Sequence, residues 1–161
     1  MFHALHQFLK TERALYLYAG IIGLLSLSAG SILYIFQGPQ YFALGLIFIG
    51  LLEVLVMFPS YFRYPIKIKQ KQDLLQKEAA AFVKSEINIS HQAIQTFVLL
   101  KRIYGSLFLV FSISLLLFNM SSWLSGLLFA LCIHLAFAIG IDYFGEKFTK
   151  IYLSALTKQP T

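Results

Sequence analysis

A single cysteine, Cys132, stands in 161 residues. That excludes an internal disulfide, a CxxC redox centre and a zinc knuckle. Charge is scarce as well: Asp, Glu, Lys and Arg make up 12% of the chain, about half the share usual in a soluble domain. Catalytic signatures are missing too. There is no GxSxG, no HExxH, no phosphate-binding glycine loop and no Cys/His pair beside a nucleophile. Ser112 and Ser114 lie in an apolar stretch, where serines bond back to their own helix. The expectation is a non-enzymatic chain, with no catalytic residue, no cofactor and no metal site assigned.

What is present is apolar surface. Hydrophobic residues make up 58% of the chain, with 16 Phe, and the mean hydropathy is +0.74. A soluble domain of this size could not hide so much, so lipid is the expected solvent. Two runs, 14–52 and 103–141, are free of Asp, Glu, Lys and Arg. Each follows an arginine (Arg13, Arg102), ends at an acid (Glu53, Asp142) and is 39 residues long. About 20 apolar residues cross a bilayer, so each run holds two crossings. The first breaks at FQGPQY (36–41), where Gly38-Pro39 gives a turn, and the second at NMSSW (119–123). The fold class expected is all-α integral membrane: four transmembrane helices (14–36, 41–62, 101–118, 123–145) as two hairpins. A helical cytoplasmic connector (63–100) joins them, between an amphipathic N-terminal segment (1–13) and a C-terminal tail (146–161).

The charges set the orientation. All 13 Lys and Arg fall in 1–13, 63–102 or 146–161, and neither short turn carries one. By the positive-inside rule both termini and the connector face the cytoplasm. A formal charge of +6 placed in this way marks juxtamembrane anchors rather than a nucleic-acid surface. A cleaved signal peptide over 1–30 is the competing reading, but the apolar stretch runs on through Ile35, too long for an h-region. Within the connector Leu75, Ala79, Phe82, Val83 and Glu86 share a stripe, and Ser90 is placed to cap a helix entering the third span. Such segments pack under a bundle or on anionic headgroups.

Four polar groups stand out against this background: Glu53, Arg63, His134 and Asp142. At 1.5 Å per residue, Glu53 lies roughly 15 Å inside Arg63, near the bilayer centre. An acid there costs several kcal/mol unless it is protonated, paired or facing water. His134 on the fourth span reaches a similar depth and is the expected partner, while Asp142, eight residues on, is placed to border the same groove. Such a pair could pin two helices, or pass protons or cations. Small residues recur on the first span at Ala19, Gly23, Ser26 and Gly30, and on the fourth at Gly126 and Ala130. Their smooth faces suit close packing within the bundle or between copies of the chain. Pro59 is expected to kink the second span.

FLKTER (8–13) ahead of the first span, and GLLEVLV with YFRYPIKIKQ at the end of the second, resemble a scattered group of small bacterial inner-membrane proteins. The resemblance implies a multi-pass inner-membrane protein and supplies no functional residues. Some proteins of this kind act as immunity proteins against membrane-targeted toxins, which makes such a toxin one expected partner beside the lipid bilayer. Three functions follow as expectations. The first is a non-catalytic protein that binds a partner at the membrane. The second is a small proton or cation channel or transporter using Glu53 and His134, and the third is a membrane enzyme acting on lipid or quinone.

Overall fold

A computed structural model describes residues 2–158. It consists of four helices: α1 (Phe2–Ile35), α2 (Gln40–Lys77), α3 (Ala79–Leu117) and α4 (Ser122–Thr157). All four are long and apolar enough to cross a membrane. They contain 34 to 39 residues, roughly 50–60 Å of helix against a hydrocarbon core of about 30 Å. Each therefore overshoots the bilayer by several turns.

The overshoot revises the expected segmentation. Among the described residues, 2–13, 63–77, 79–100 and 146–157 are not separate pieces; they continue the spanning helices. α2 runs through both Pro59 and Pro65 and stops only at Lys77. The connector breaks at one residue, Glu78 (φ −140°, ψ 62°), which closes α2 and opens α3. Its N–H donates to the Leu74 carbonyl, and its own carbonyl accepts from Phe82 N–H. No helix end is left for Ser90 to cap; it lies inside α3, 3% exposed. Because the corner falls between Leu75 and Ala79, the expected stripe is split. Leu75, Phe82 and Glu86 are buried, whereas Ala79 is exposed.

α1 packs along α2 and α3 along α4; the two hairpins join where α4 meets α2 and α1, and the backbones of α1 and α3 stay apart. Both described ends of the chain and the Glu78 corner gather at one end of the bundle, here the terminal end. The turns at 36–39 and 118–121 form the loop end.

The two ends pack by different rules. At the terminal end the core is large and apolar: Leu5, Leu9, Tyr64, Leu75, Phe82, Tyr152 and Leu156. Phe8 stacks on Tyr152 with ring centroids 4.3 Å apart. This is the core of a water-exposed bundle, driven by the hydrophobic effect. Its acids are paired. Glu86 accepts from Lys71 Nζ at 2.7 and 2.9 Å and from the Tyr152 hydroxyl at 3.3 Å. Glu12 accepts from the Tyr64 hydroxyl and from Lys67 Nζ, the latter at 3.0 Å, and Glu146 is held by Lys101 and Lys150. The hydrogen bonds from Lys101 and Lys150 keep the Glu146 carboxyl below its ordinary range despite burial. Burial, then the adjacent carboxylates, push the Tyr64 and Tyr152 phenols well above theirs.

In the spanning part the buried residues are mostly small, among them Ala19, Gly23, Gly30, Ala43, Gly50 and Ala130, while Leu25, Phe48, Leu55, Leu109 and Leu116 point outward. Outward leucines and inward glycines are what lipid solvent selects, since acyl chains already satisfy apolar side chains.

At the loop end α1 stops in a two-bond turn. Gly38 N–H donates to the Leu33 carbonyl at 2.8 Å and Gln37 N–H to the Tyr34 carbonyl at 3.3 Å. The left-handed residue is Gln37 (φ 56°), not the neighbouring glycine. That conformation costs a side chain about 1 kcal/mol that glycine escapes. Gln37→Gly, at an exposed position, is therefore expected to raise unfolding stability in detergent by about 1 kcal/mol, whereas Gly38→Ala should not.

Candidate functional site

The site starts with backbones that approach closely. A Cβ added at Gly50 of α2 would meet the Gly23 carbonyl of α1 at 2.6 Å, and one at Gly23 would meet Glu53 Cβ at 2.7 Å. A Cβ at Gly30 would meet the Ala43 carbonyl at 2.7 Å. α4 reaches α2 in the same way: a Cβ at Gly126 would lie 2.6 Å from Phe42 N, and one at Gly45 2.8 Å from the Ala130 Cβ. The small residues of the first and fourth spans thus serve α2 within one chain, with Ala19 buried beside them. Gly45 and Gly50 were not singled out in the sequence. Their five-residue separation lies off the three- and four-residue ridges that mark a helix face.

This contact brings three helices to one imidazole. His134 of α4, 6% exposed, has Nδ1 at 2.8 Å from Glu53 Oε1 of α2 and Nε2 at 2.9 Å from Ser26 Oγ of α1. The Ser26 hydroxyl also donates to the Leu46 carbonyl at 3.2 Å. A hydroxyl has one hydrogen, and a carbonyl can only accept. With that hydrogen on Leu46, Ser26 Oγ accepts from Nε2–H; with it on Nε2, the ring carries its hydrogen on Nδ1, towards Glu53. Both arrangements place one hydrogen between Nδ1 and Glu53 Oε1.

The other oxygen, Glu53 Oε2, is buried and has no partner, as is Asp142 Oδ2. Both residues line a cavity of about 280 Å³ to which all four helices contribute. A smaller cavity of about 100 Å³ follows towards the terminal end, lined by Lys67, Lys71 and Glu86, and shares Glu12, Leu15 and Phe97 with the first. A third, about 320 Å³ and almost wholly apolar, includes Ser26 and His134 and shares Ile22 and Phe137 with the first. Polar groups therefore extend from the Glu53–His134 pair to the terminal end, with Glu12, Leu15 and Phe97 shared by the two cavities.

Glu53 and His134 stand together, and Asp142 shares a cavity with Glu53 rather than with His134, which borders the adjoining one. Arg63 does not belong to the site. It is exposed, because ten residues at about 100° each turn it some 80° from Glu53 around the helix. Arg13 points inward instead, stacked 4.3 Å from the Tyr61 ring centroid with its Nε buried and unpartnered. Glu12 was also missed in the sequence. Its signal is Lys67 at matching distance from the opposite span, legible only once both helices are known to continue. Among the described residues no group of three His, Cys, Asp or Glu could hold a metal ion.

No known protein family, curated protein or solved structure matches this chain.

Since the Gly50 contact is with backbone, it cannot yield by a rotamer change. Gly50→Ala is expected to destabilise the protein by about 1–3 kcal/mol in reversible unfolding in detergent. Gly105→Ala on α3, where an added Cβ meets nothing within 4 Å, should be neutral or stabilising by up to about 1 kcal/mol.

Proposed function

We propose that the protein is a small multi-pass membrane protein that handles protons or cations through Glu53 and His134, with its terminal end in the cytoplasm of a bacterial cell and its membrane the inner one. The observation that carries this reading is the hydrogen-bonded Glu53–His134 pair within a lipid-exposed bundle, with one carboxylate oxygen unpartnered and Glu53 lining a cavity. A carboxyl group that lines a cavity and leaves one oxygen unpartnered can exchange its proton or take a cation. The placement of every Lys and Arg at or near the terminal end supports the orientation.

In proteoliposomes carrying a trapped pH indicator, a potassium diffusion potential should drive proton flux. Glu53→Gln keeps the shape and a hydrogen bond to His134 but cannot exchange the proton, and should lower that flux by about tenfold or more. Equal flux in the Gln variant, or no flux above empty liposomes in the parent, would remove the reading.

Binding of a partner protein such as a membrane-targeted toxin is a second reading, supported by α3. That helix packs mainly on α4. Val110 and Ile113 are exposed, and the Gly105 face is open, leaving room for a foreign helix to approach closely. A photo-crosslinking residue at Val110 should then capture protein in cells, whereas one at Phe48 should capture lipid. Lipid adducts at both positions would end this second reading.

A further inference from the structure

Arg13 is held where lipid headgroups begin. A Cβ at Gly23 would touch Glu53, so those two residues are level, and Arg13, ten residues back along α1, stands roughly 15 Å nearer the terminal end. That is half of a hydrocarbon core about 30 Å thick, and the residue after Arg13 opens the apolar run of the first span. Its guanidinium leans across the seam to α2 and stacks 4.3 Å from the Tyr61 ring centroid. The chain's other two arginines, Arg63 and Arg102, are exposed, and among the described residues no ring holds either.

This fixed guanidinium lacks a counter-ion. No carboxylate among the described residues pairs with it. Glu12, its neighbour in sequence, turns instead to the Tyr64 hydroxyl and Lys67. Nε is the one Arg13 nitrogen that is both buried and unpartnered, which leaves the two Nη groups for a partner from outside. They form a planar pair of donors that matches two oxygens of a phosphate. Stacking has already restricted the side chain, so little rotamer freedom remains to be lost on binding.

The surroundings select among phosphates. Lys10 lies one turn back on the same face of α1 and is exposed. With Glu12 and Lys67 cancelling each other, two positive charges remain at this corner of the seam. They attract an anion and repel a headgroup that carries its own ammonium. Towards the loop end the same face of α1 continues through Leu17, Gly20 and Leu24. Phe58 closes over Gly20, where an added Cβ would lie 3.3 Å from its ring, and Leu24 is exposed. This apolar strip leads from the guanidinium into the hydrocarbon, as acyl chains lead from a phosphate.

We propose that the α1–α2 seam at Arg13 binds one anionic phospholipid of the leaflet at the terminal end. The Arg13 Nη groups hold its phosphodiester, Lys10 excludes ammonium headgroups, and an acyl chain lies along Leu17, Phe58 and Leu24. The site uses neither Glu53 nor His134, so it stands or falls apart from proton handling.

Native mass spectrometry of the full chain, released from a neutral detergent, tests this with dioleoyl phosphatidylglycerol and dioleoyl phosphatidylcholine as probes. Phosphatidylglycerol should saturate one site per chain and bind about tenfold more tightly than phosphatidylcholine. Arg13→Lys keeps the charge but loses the planar donor pair, and should cost phosphatidylglycerol about tenfold. Tyr61→Leu removes the platform beneath the guanidinium and should cost about threefold, which keeps the test open even if the Arg13 variant fails to fold. Arg102→Gln removes a whole charge elsewhere and should change binding by less than about twofold. Glycerophosphoglycerol, the same headgroup without acyl chains, should not displace the lipid. Equal binding of the two lipids, undiminished binding in Arg13→Lys, equal losses in Arg13→Lys and Arg102→Gln, or displacement by the free headgroup would each overturn the assignment.

Discussion

His134 can touch Ser26 and Glu53 at the same time only because α1, α2 and α4 approach to backbone contact. Gly23 against Gly50 and Gly126 against Phe42 leave no room for a Cβ. That proximity places a hydroxyl and a carboxylate on opposite sides of one ring at 2.9 and 2.8 Å. The dependence runs both ways. In lipid there is no hydrophobic force pushing helices together, so close packing and interhelical hydrogen bonds must hold them. Glycines admit the imidazole, and the imidazole gives three glycine-rich faces a reason to stay together. α3, which has no such polar tie to α1, packs mainly on α4.

The molecule solves a different problem at its terminal end. There the same four helices leave the hydrocarbon, and large side chains turn inward around Leu5, Leu9, Phe82 and Leu156. Acids that would be costly in lipid are each given a lysine. Continuous helices connect the two regimes: α1 runs unbroken from Ser26 to Glu12, while Pro59 interrupts the hydrogen-bond ladder of α2 between Glu53 and Tyr64. The one break between the hairpins, at Glu78, lies beyond that core.

Much of this was legible in the sequence. Arg13, Glu53, Arg102 and Asp142 bracket the apolar runs, and about 20 residues per crossing yields four spans. Gly38-Pro39 marked its turn, and the depth argument brought Glu53 and His134 together because rise per residue is nearly constant. Rotation was harder. Arg63 was grouped with the site, although it lies roughly 15 Å from Glu53 along α2 and its angle around the helix turns it outward. Segments 63–100 and 146–161 were read as separate because charge marks where lipid ends, not where a helix does. Ser90 fits a cap by residue type, but only the position of the corner decides whether a helix starts there. Ser26 was counted as a small residue, and its hydrogen bond became visible only when α4 was set against it.

The Glu53–His134 contact links packing to the function proposed for it. It holds one hydrogen between Nδ1 and Oε1, and Ser26 ties a third helix to the same ring. Gain or loss of a proton there changes the charge by one unit in surroundings of low dielectric, where an uncompensated charge is expensive. On the proton- or cation-handling reading each change must therefore be offset by a second charge, and the cavity that Glu53 lines is the place for it. No moving element larger than the occupant of that cavity is then needed.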